Sequence, residues 1–374
     1  MKIDNIHKIF MLGDLHFGVR NNSVVWKDDM FDFINRFLDD LPKHGFNCET
    51  DILMLTGDIF HSREFLNVMI GNNVIELFSK ITTKFKRGVF VILGNHDVYY
   101  KRNNAVHTLK FIEKVFPNFN VFSEPDVIII NDKHRFLMLP WNDEITELDK
   151  AISENCDCDY LFCHMDIESF KYNKAIRIEK GVSVESLKSF KRVYAGHLHH
   201  KQDRGNVLYL GTPYQMDYGD MDTRRGYYVI TVTDDMLHEE YFENEWSPKF
   251  VACMFEDLMK MTFEQAAVIL NRNYSYVHIP TSAARTFAFN SFIEITQSHG
   301  ITPKRIEFKQ YDDSYVIDET QFAATADFNL ATTALSILEE KKYSHAETEG
   351  ILKYFNDLYM LAKNNDKESL RNDG

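Results

Sequence analysis

Seven of the fifteen histidines stand at five places where a short apolar run gives way to polar groups. The segments are Gly13-Asp14-Leu15-His16, Gly57-Asp58-Ile59-Phe60-His61, Gly94-Asn95-His96-Asp97, Cys163-His164 and Gly196-His197-Leu198-His199-His200. In four of them an apolar run leads directly into a glycine. In the fifth, His164 follows the strand-like Tyr160–Cys163. Residues i and i+2 of an extended segment project to the same side, so Asp14 with His16, and His197 with His199, can each present two ligands to one cavity. Asp58 has two oxygens able to bridge two cations, and Asn95 offers a neutral carbonyl oxygen. A set of imidazoles and oxygens without a thiolate suits divalent first-row ions better than a structural zinc. Two such ions roughly 3.5–4 Å apart clamp the attacking and leaving oxygens of a phosphoryl centre.

Each segment alone has a plainer reading. A lone G-D-x-H is also a turn with a surface histidine. A lone G-N-H-D is also a hairpin turn, because Asn and Asp tolerate the left-handed region. Five such elements in order, each after an apolar run, are what turns weak signals into a site. His200 points away from its neighbour His199 and reads as structural.

The elements that must position these residues alternate. Strands are expected at Lys8–Leu12, Ile52–Thr56, Val89–Leu93, Val127–Ile130, Phe136–Leu139, Tyr160–Cys163, Val193–Ala195, Val207–Leu210 and Tyr227–Val232. Helices are expected near 24–43, 66–85, 104–116, 144–154 and 183–190. Strands alternating with helices predict an α/β layered fold, with some late strands antiparallel. Ligands collect at the carboxyl ends of strands in such folds. After Pro248, Tyr274–Ile279, Arg285–Ser298 and Arg305–Tyr311 read as strand, helix and strand, a small β-α-β unit. Two capping-box signals follow, Asp318 with Gln321 and Ser344 with Glu347, each opening an amphipathic helix. The domain division expected is 1–249, 250–313 and 314–374.

Composition narrows the class. The chain has 374 residues, 44% hydrophobic and 26% charged, which is ordinary for a globular protein. No apolar run reaches the roughly 20 residues of a membrane helix. The N-terminus shows no signal-peptide pattern, so a cytoplasmic protein is expected. A net charge of −14 argues against coating nucleic acid by bulk charge, though not against a local basic groove. Five cysteines without a secretory signal read as reduced thiols, the Cys156/Cys158 pair included.

The order GDLH, GDIFH, GNHD, CH and GHLH resembles the calcineurin-like metallophosphoesterase superfamily. Within it, the chain resembles the nuclease subunit of SbcCD-type double-strand-break repair complexes, the phage branch most of all. His61 in GDIFHSR stands where protein phosphatases carry a second Asp. The run from Leu210-Gly211-Thr212-Pro213-Tyr214 through Asp220 to Arg225-Gly226-Tyr227 looks like the phage version of a G-[ST]-P element. The fold implied is a layered β-sandwich flanked by helices, with a small α+β capping domain and C-terminal helices.

The resemblance implies one metal held by Asp14, His16, Asp58 and His199, and another by Asp58, Asn95, His164 and His197. It leaves His96 to protonate or position the leaving oxygen, Asp97 to orient His96 or merely shape the turn, and His61 to reach the phosphate. The ions implied are two Mn²⁺, with Mg²⁺ the alternative. The implied activity is 3′–5′ exonuclease on double-stranded DNA and endonuclease on single strands, in recombination and repair. The implied partners are DNA, a coiled-coil SbcC-like ATPase docking on the final helix pair, and a second copy of the chain. Helices near 66–85 and 104–116 could form the dimer or cover the sheet. Lys101, Arg102, Lys201 and Arg204 lie nearest the site in sequence and are the expected phosphate contacts. Tyr99 and Tyr100 could stack on a base or pack. A small-substrate phosphodiesterase or phosphatase is the alternative function, and an inactive scaffold protein a further one.

Overall fold

The computed structural model describes residues 1–100, 102–173, 176–281, 298 and 300–311. Its strands, in chain order, are β1 Lys2–Ile3, β2 Lys8–Leu12, β3 Asp51–Leu55, β4 Val89–Ile92, β5 Val98–Tyr100, β6 Asn103–His107, β7 Phe119–Phe122, β8 Asp126–Ile130 and β9 His134–Leu139. They continue with β10 Tyr160–His164, β11 Arg192–Gly196, β12 Gln202–Arg204, β13 Val207–Tyr209, β14 Gly226–Val232, β15 Leu237–Glu243, β16 Phe250–Met254, β17 Tyr274–Pro280 and β18 Arg305–Tyr311. One sheet runs β15-β14-β2-β3-β4-β7 and a second β1-β8-β9-β10-β11-β13-β12. Strands β2, β3, β4 and β7 are mutually parallel, as are β9, β10, β11 and β13.

The alternation of side chains explains the layering. Ile9 and Met11 of β2, Ile52 and Met54 of β3, Phe136 and Met138 of β9, and Tyr160 and Phe162 of β10 share one core between the sheets. The intervening Phe10, Leu12, Leu53 and Leu55 join a second core with helices α1 (Val24–Asp40) and α2 (Val68–Lys84). Leu137, Leu139, Leu161 and Cys163 join a third with α3 (Ile145–Glu154). The result is helix, sheet, sheet, helix. Because both faces are covered, the parallel strands read as unbroken apolar runs such as Val89-Phe90-Val91-Ile92. Helix α1 turns Met30, Phe33 and Phe37 inward, and α2 turns Ile70, Val74, Leu77 and Ile81. Asn67 caps α2 by accepting from the amides of Met69 and Ile70.

The third sheet, β16-β17-β18, is parallel and covers a separate small core of Phe255, Leu258, Ala266, Leu270, Val277 and Ile279. Trp26 joins it to α1, stacking on Tyr274 at 4.7 Å and on Phe250 at 5.5 Å. Strands expected at 274–279 and 305–311 are present as β17 and β18. The helix expected over 285–298 and the final helix pair lie outside the described residues.

Two helical expectations are corrected. Over 104–116 only Lys110–Val115 is helical, because Asn103–His107 pairs with Val98–Tyr100 as a hairpin. Over 183–190 there is only a short 3-10 turn, Val184–Leu187. Among the described residues no helix is long and apolar enough to cross a membrane.

Candidate metal centre

The five segments meet at the carboxyl ends of β2, β3 and β4 from one sheet and β10 and β11 from the other. Asp14 follows β2. Its Oδ1 accepts from the Thr56 hydroxyl at 2.9 Å and its Oδ2 from the His197 amide at 2.9 Å. Asp58 follows β3, and its Oδ1 accepts from the His96 amide at 2.8 Å. Its Oδ2 lies 3.6 Å from His16 Nε2 and 3.5 Å from His164 Nε2. Asp58, His16 and His197 have φ of 47°, 50° and 90°. Such left-handed backbone costs about 1–3 kcal/mol per residue and collects at functional sites. Gly94 is required here, since a Cβ on it would stand 2.2 Å from Asp58 Oδ1.

The lone pairs in this cleft fit cations. His164 Nδ1 donates to the Thr56 carbonyl at 2.7 Å, so the neutral ring turns an unprotonated Nε2 toward Asn95 Oδ1, 3.0 Å away. His197 Nε2 lies 3.1 Å from Asp166 Oδ1, and its Nδ1 is 2.9 Å from the same Asn95 oxygen. Two ring nitrogens thus stand about 3 Å from one amide oxygen, the donor spacing expected around an ion with bonds of about 2.1 Å. His16 Nε2 and His199 Nε2 likewise approach to 3.1 Å. Among the described residues, three groups of side chains bring their ligand atoms close together: Asp14/His16/His199, Asp14/Asp58/His164 and His16/His61/His96.

Electrostatics agree with the geometry. Burial, and then the Asp58 charge, push the Asp14 carboxyl well above its ordinary range, and burial pushes Asp58 up to about 7. Burial, and then neighbouring imidazoles, drive His16 and His164 far down, and burial drives His199 to about 3. Among the described residues no lysine or arginine forms an ion pair with either carboxylate; their ion-pair partners are histidines. Buried carboxylates without a cationic partner, beside neutral imidazoles, are the donor set that divalent ions satisfy.

His96 and His61 stand together on the open side. Their rings stack at 5.3 Å with a 19° tilt. His96 Nδ1 donates to the His61 carbonyl at 2.6 Å. Asp97, expected either to orient His96 or to shape the turn, makes contacts with the main chain. The Asp97 carboxylate is spent on the backbone, accepting from the amides of Ile59 and Gly94 at 3.0 Å each. It ties the GNHD turn to the GDIFH turn, and burial pushes it up to about 8.

Of the residues expected to contact phosphate, three are exposed and also have partners within the protein. Lys201 Nζ sits over the Tyr241 ring at 3.9 Å. Arg204 donates to the Ser169 carbonyl at 2.8 Å, and Arg102 pairs with Glu144 at 2.5 Å. Lys101 lies outside the described residues. Tyr99 and Tyr100 are about half exposed.

Several supporting residues escape a reading of the sequence. Thr56 serves both Asp14 and His164. Asp166, two residues past His164, lies beside His197, and Trp141 lies against the His197 ring at 5.1 Å. Arg63, two residues past His61, places its charge near Asp58 and His96. For Asp166 and Arg63 a signal exists: each follows a ligand-bearing turn by two residues. For Thr56 and Trp141 only the three-dimensional arrangement reveals the role.

The calcineurin-like phosphoesterase model matches residues 7–224, the part of the chain that carries all five turns. The chain belongs to this family. Relatives of this phosphoesterase include "Exonuclease subunit 1" of Enterobacteria phage T4, 29% identical over 235 residues, or 60% of this chain. The match spans 64% of the length of that relative. The D subunit of the nuclease SbcCD of Staphylococcus epidermidis is 21% identical over 354 residues, covering 83% of this chain and 91% of that protein. The layered α/β fold expected from the sequence is therefore also the fold of a calcineurin-like phosphoesterase.

Proposed function

We propose that this phosphoesterase is a divalent-metal-dependent DNA nuclease that works with a coiled-coil ATPase subunit in recombination and break repair. What supports the metal reading is the approach of His164 Nε2 and His197 Nδ1 to within 3.0 Å of Asn95 Oδ1, together with the buried Asp14 and Asp58. What supports DNA as substrate is the pair of relatives whose names describe nuclease subunits.

In this reading Asp14, His16, Asp58 and His199 hold one ion, and Asp58, Asn95, His164 and His197 a second, with Asp58 shared. When bound, two divalent ions, Mn²⁺ in this proposal, acidify water and offset the charge of the phosphoryl oxygens. His96 remains for the substrate. Its Nδ1–H is committed to the His61 carbonyl, so Nε2 is the ring atom that meets the departing oxygen. A proton at Nε2 makes the ring an imidazolium, a form the adjacent phosphate anion favours. His61, stacked on His96, keeps that ring from swinging away. Residues 250–313 would form the DNA-facing cap, and 314–374 the helices that dock the ATPase; a second copy of the chain completes the assembly.

The test is nucleotide release from 3′-labelled duplex DNA with and without Mn²⁺, for the full-length protein and His96→Ser. Bis-p-nitrophenyl phosphate runs in parallel. Mn²⁺-dependent degradation lost in His96→Ser is expected. Hydrolysis of the small diester with DNA left intact, even with the ATPase subunit present, would replace this reading by a small-substrate phosphodiesterase.

A further inference from the structure

The ligand loop after β11 is held from behind by a buried ion pair. Arg225 and Asp220 are 4% and 3% exposed, and Arg225 Nη2 meets Asp220 Oδ1 at 2.5 Å. Three further donors of the guanidinium are spent inside the protein. Nε donates to the Thr223 hydroxyl at 3.1 Å, and Nη1 to the Thr212 hydroxyl at 2.8 Å and to the carbonyl of His199. The Thr212 amide donates to that same carbonyl at 3.0 Å. Asp220 is fixed in turn, its Oδ2 accepting from the Met216 amide at 2.7 Å, and His200 Nε2 lies 3.4 Å from its Oδ1. Gly211 lets the chain pass close behind; a Cβ there would stand 2.8 Å from the His199 carbonyl.

A buried ion pair is costly to desolvate and gives little net stability over apolar side chains of similar volume. This one converges on a single main-chain oxygen, at the residue whose ring nitrogen faces His16 Nε2. We propose that the Arg225–Asp220 pair is a positioning device for the His199 imidazole, fixing its main chain so that Nε2 stands at the divalent-ion site. The inference rests on the metal-site reading above. Arg225 acts through His199 and touches neither ion nor substrate. Metal–nitrogen distances tolerate about 0.2 Å of error, less than a released main chain would introduce.

The experiment compares Mn²⁺ binding by titration calorimetry in the full-length wild type, Arg225→Lys, and the double variant Arg225→Met with Asp220→Leu. Thermal midpoints in EDTA report stability separately. The double variant removes both charges together, so no buried charge is stranded and the fold is expected to survive. Wild type should bind two Mn²⁺. The double variant should bind one of them roughly 10–100-fold more weakly, the loss typical of outer-shell partners, with the other unchanged. Arg225→Lys, which keeps the charge but loses the planar fork of the guanidinium, should fall between. If the double variant fails to fold, Arg225→Lys decides on the same readout. Wild-type binding with unchanged affinity in the folded variants overturns the positioning role alone. No Mn²⁺ binding by the wild type overturns the metal reading and this inference with it.

Discussion

The His96 main-chain N–H donates to Asp58 Oδ1 at 2.8 Å, so one bond sets both the carboxylate shared by the proposed ions and the backbone of the proposed proton donor. Asp58→Asn keeps the shape and that acceptor but removes the charge. Mn²⁺-dependent nuclease activity is expected to fall roughly 100-fold or more, beyond the range for outer-shell partners. Steady-state rates under saturating Mn²⁺ check this, and a loss under tenfold would contradict a shared ligand.

The same carboxylate predicts how the metal-free protein responds to pH. Its folded pKa, about 7, lies above the ordinary 3.8, because burial disfavours the charge. Between those values the folded state binds more protons than the unfolded one, so stability falls as pH rises from about 4 to 7. In EDTA at neutral pH, Asp58→Asn should therefore melt higher than wild type, by roughly 1–2 °C for each kcal/mol gained at this size. Thermal melts at pH 5 and 7.5 test it; the gain should be larger at 7.5. An equal or lower midpoint at 7.5 contradicts it.

The main-chain contacts of Asp97 predict a role in the fold rather than on His96. Asp97→Ala strands the buried amides of Ile59 and Gly94 and should cost about 1–3 kcal/mol per donor left unpaired. The pH profile of kcat should keep its shape in whatever folded protein remains. Denaturant unfolding and a kcat–pH profile separate the two roles. A displaced pH profile at unchanged stability would restore Asp97 as the group that orients His96.

Lys201 and Arg204 are tied to Tyr241 and Ser169, so neither should release counterions on DNA binding. Lys201→Ala should cost about 0.5–1 kcal/mol of stability through the lost ring contact. The salt dependence of DNA affinity should not change. A fall of about one in the slope of log affinity against log salt would make Lys201 a phosphate contact after all.

Trp26 fastens the small parallel sheet to α1 through Tyr274 and Phe250, and Asp29 adds a 2.6 Å bond from the Tyr274 hydroxyl. Trp26→Ala should lower stability by about 3–5 kcal/mol in urea unfolding. A loss under about 1 kcal/mol would mean that the stack is incidental.

The strands that carry the site are legible in the sequence because both of their faces are buried. Val89-Phe90-Val91-Ile92 and Asp51–Leu55 leave no polar position except at their ends, and the ligands begin where the apolar run stops. Edge strand Leu237–Glu243 escapes such a reading because alternate residues face solvent and resemble a polar stretch. The spacing within Asn103–His107 suits a helix. The bond from the Thr108 amide to the Asp97 carbonyl and the pairing with Val98–Tyr100 override that preference. The proposed ligand residues are visible through their types and spacing. Their supports are not, because a carboxylate such as Asp97 or a cation such as Arg225 reads the same whether it meets solvent, backbone or metal.

The most direct test of the shared-carboxylate centre is anomalous diffraction at the manganese edge from crystals of the full-length protein grown with Mn²⁺. Two peaks roughly 3.5–4 Å apart are expected on either side of the Asp58 carboxylate. One should lie against Asp14, His16 and His199, and the other against Asn95, His164 and His197. A single peak, or one seated among His16, His61 and His96 with Asp58 untouched, would contradict both that centre and the role given to His96.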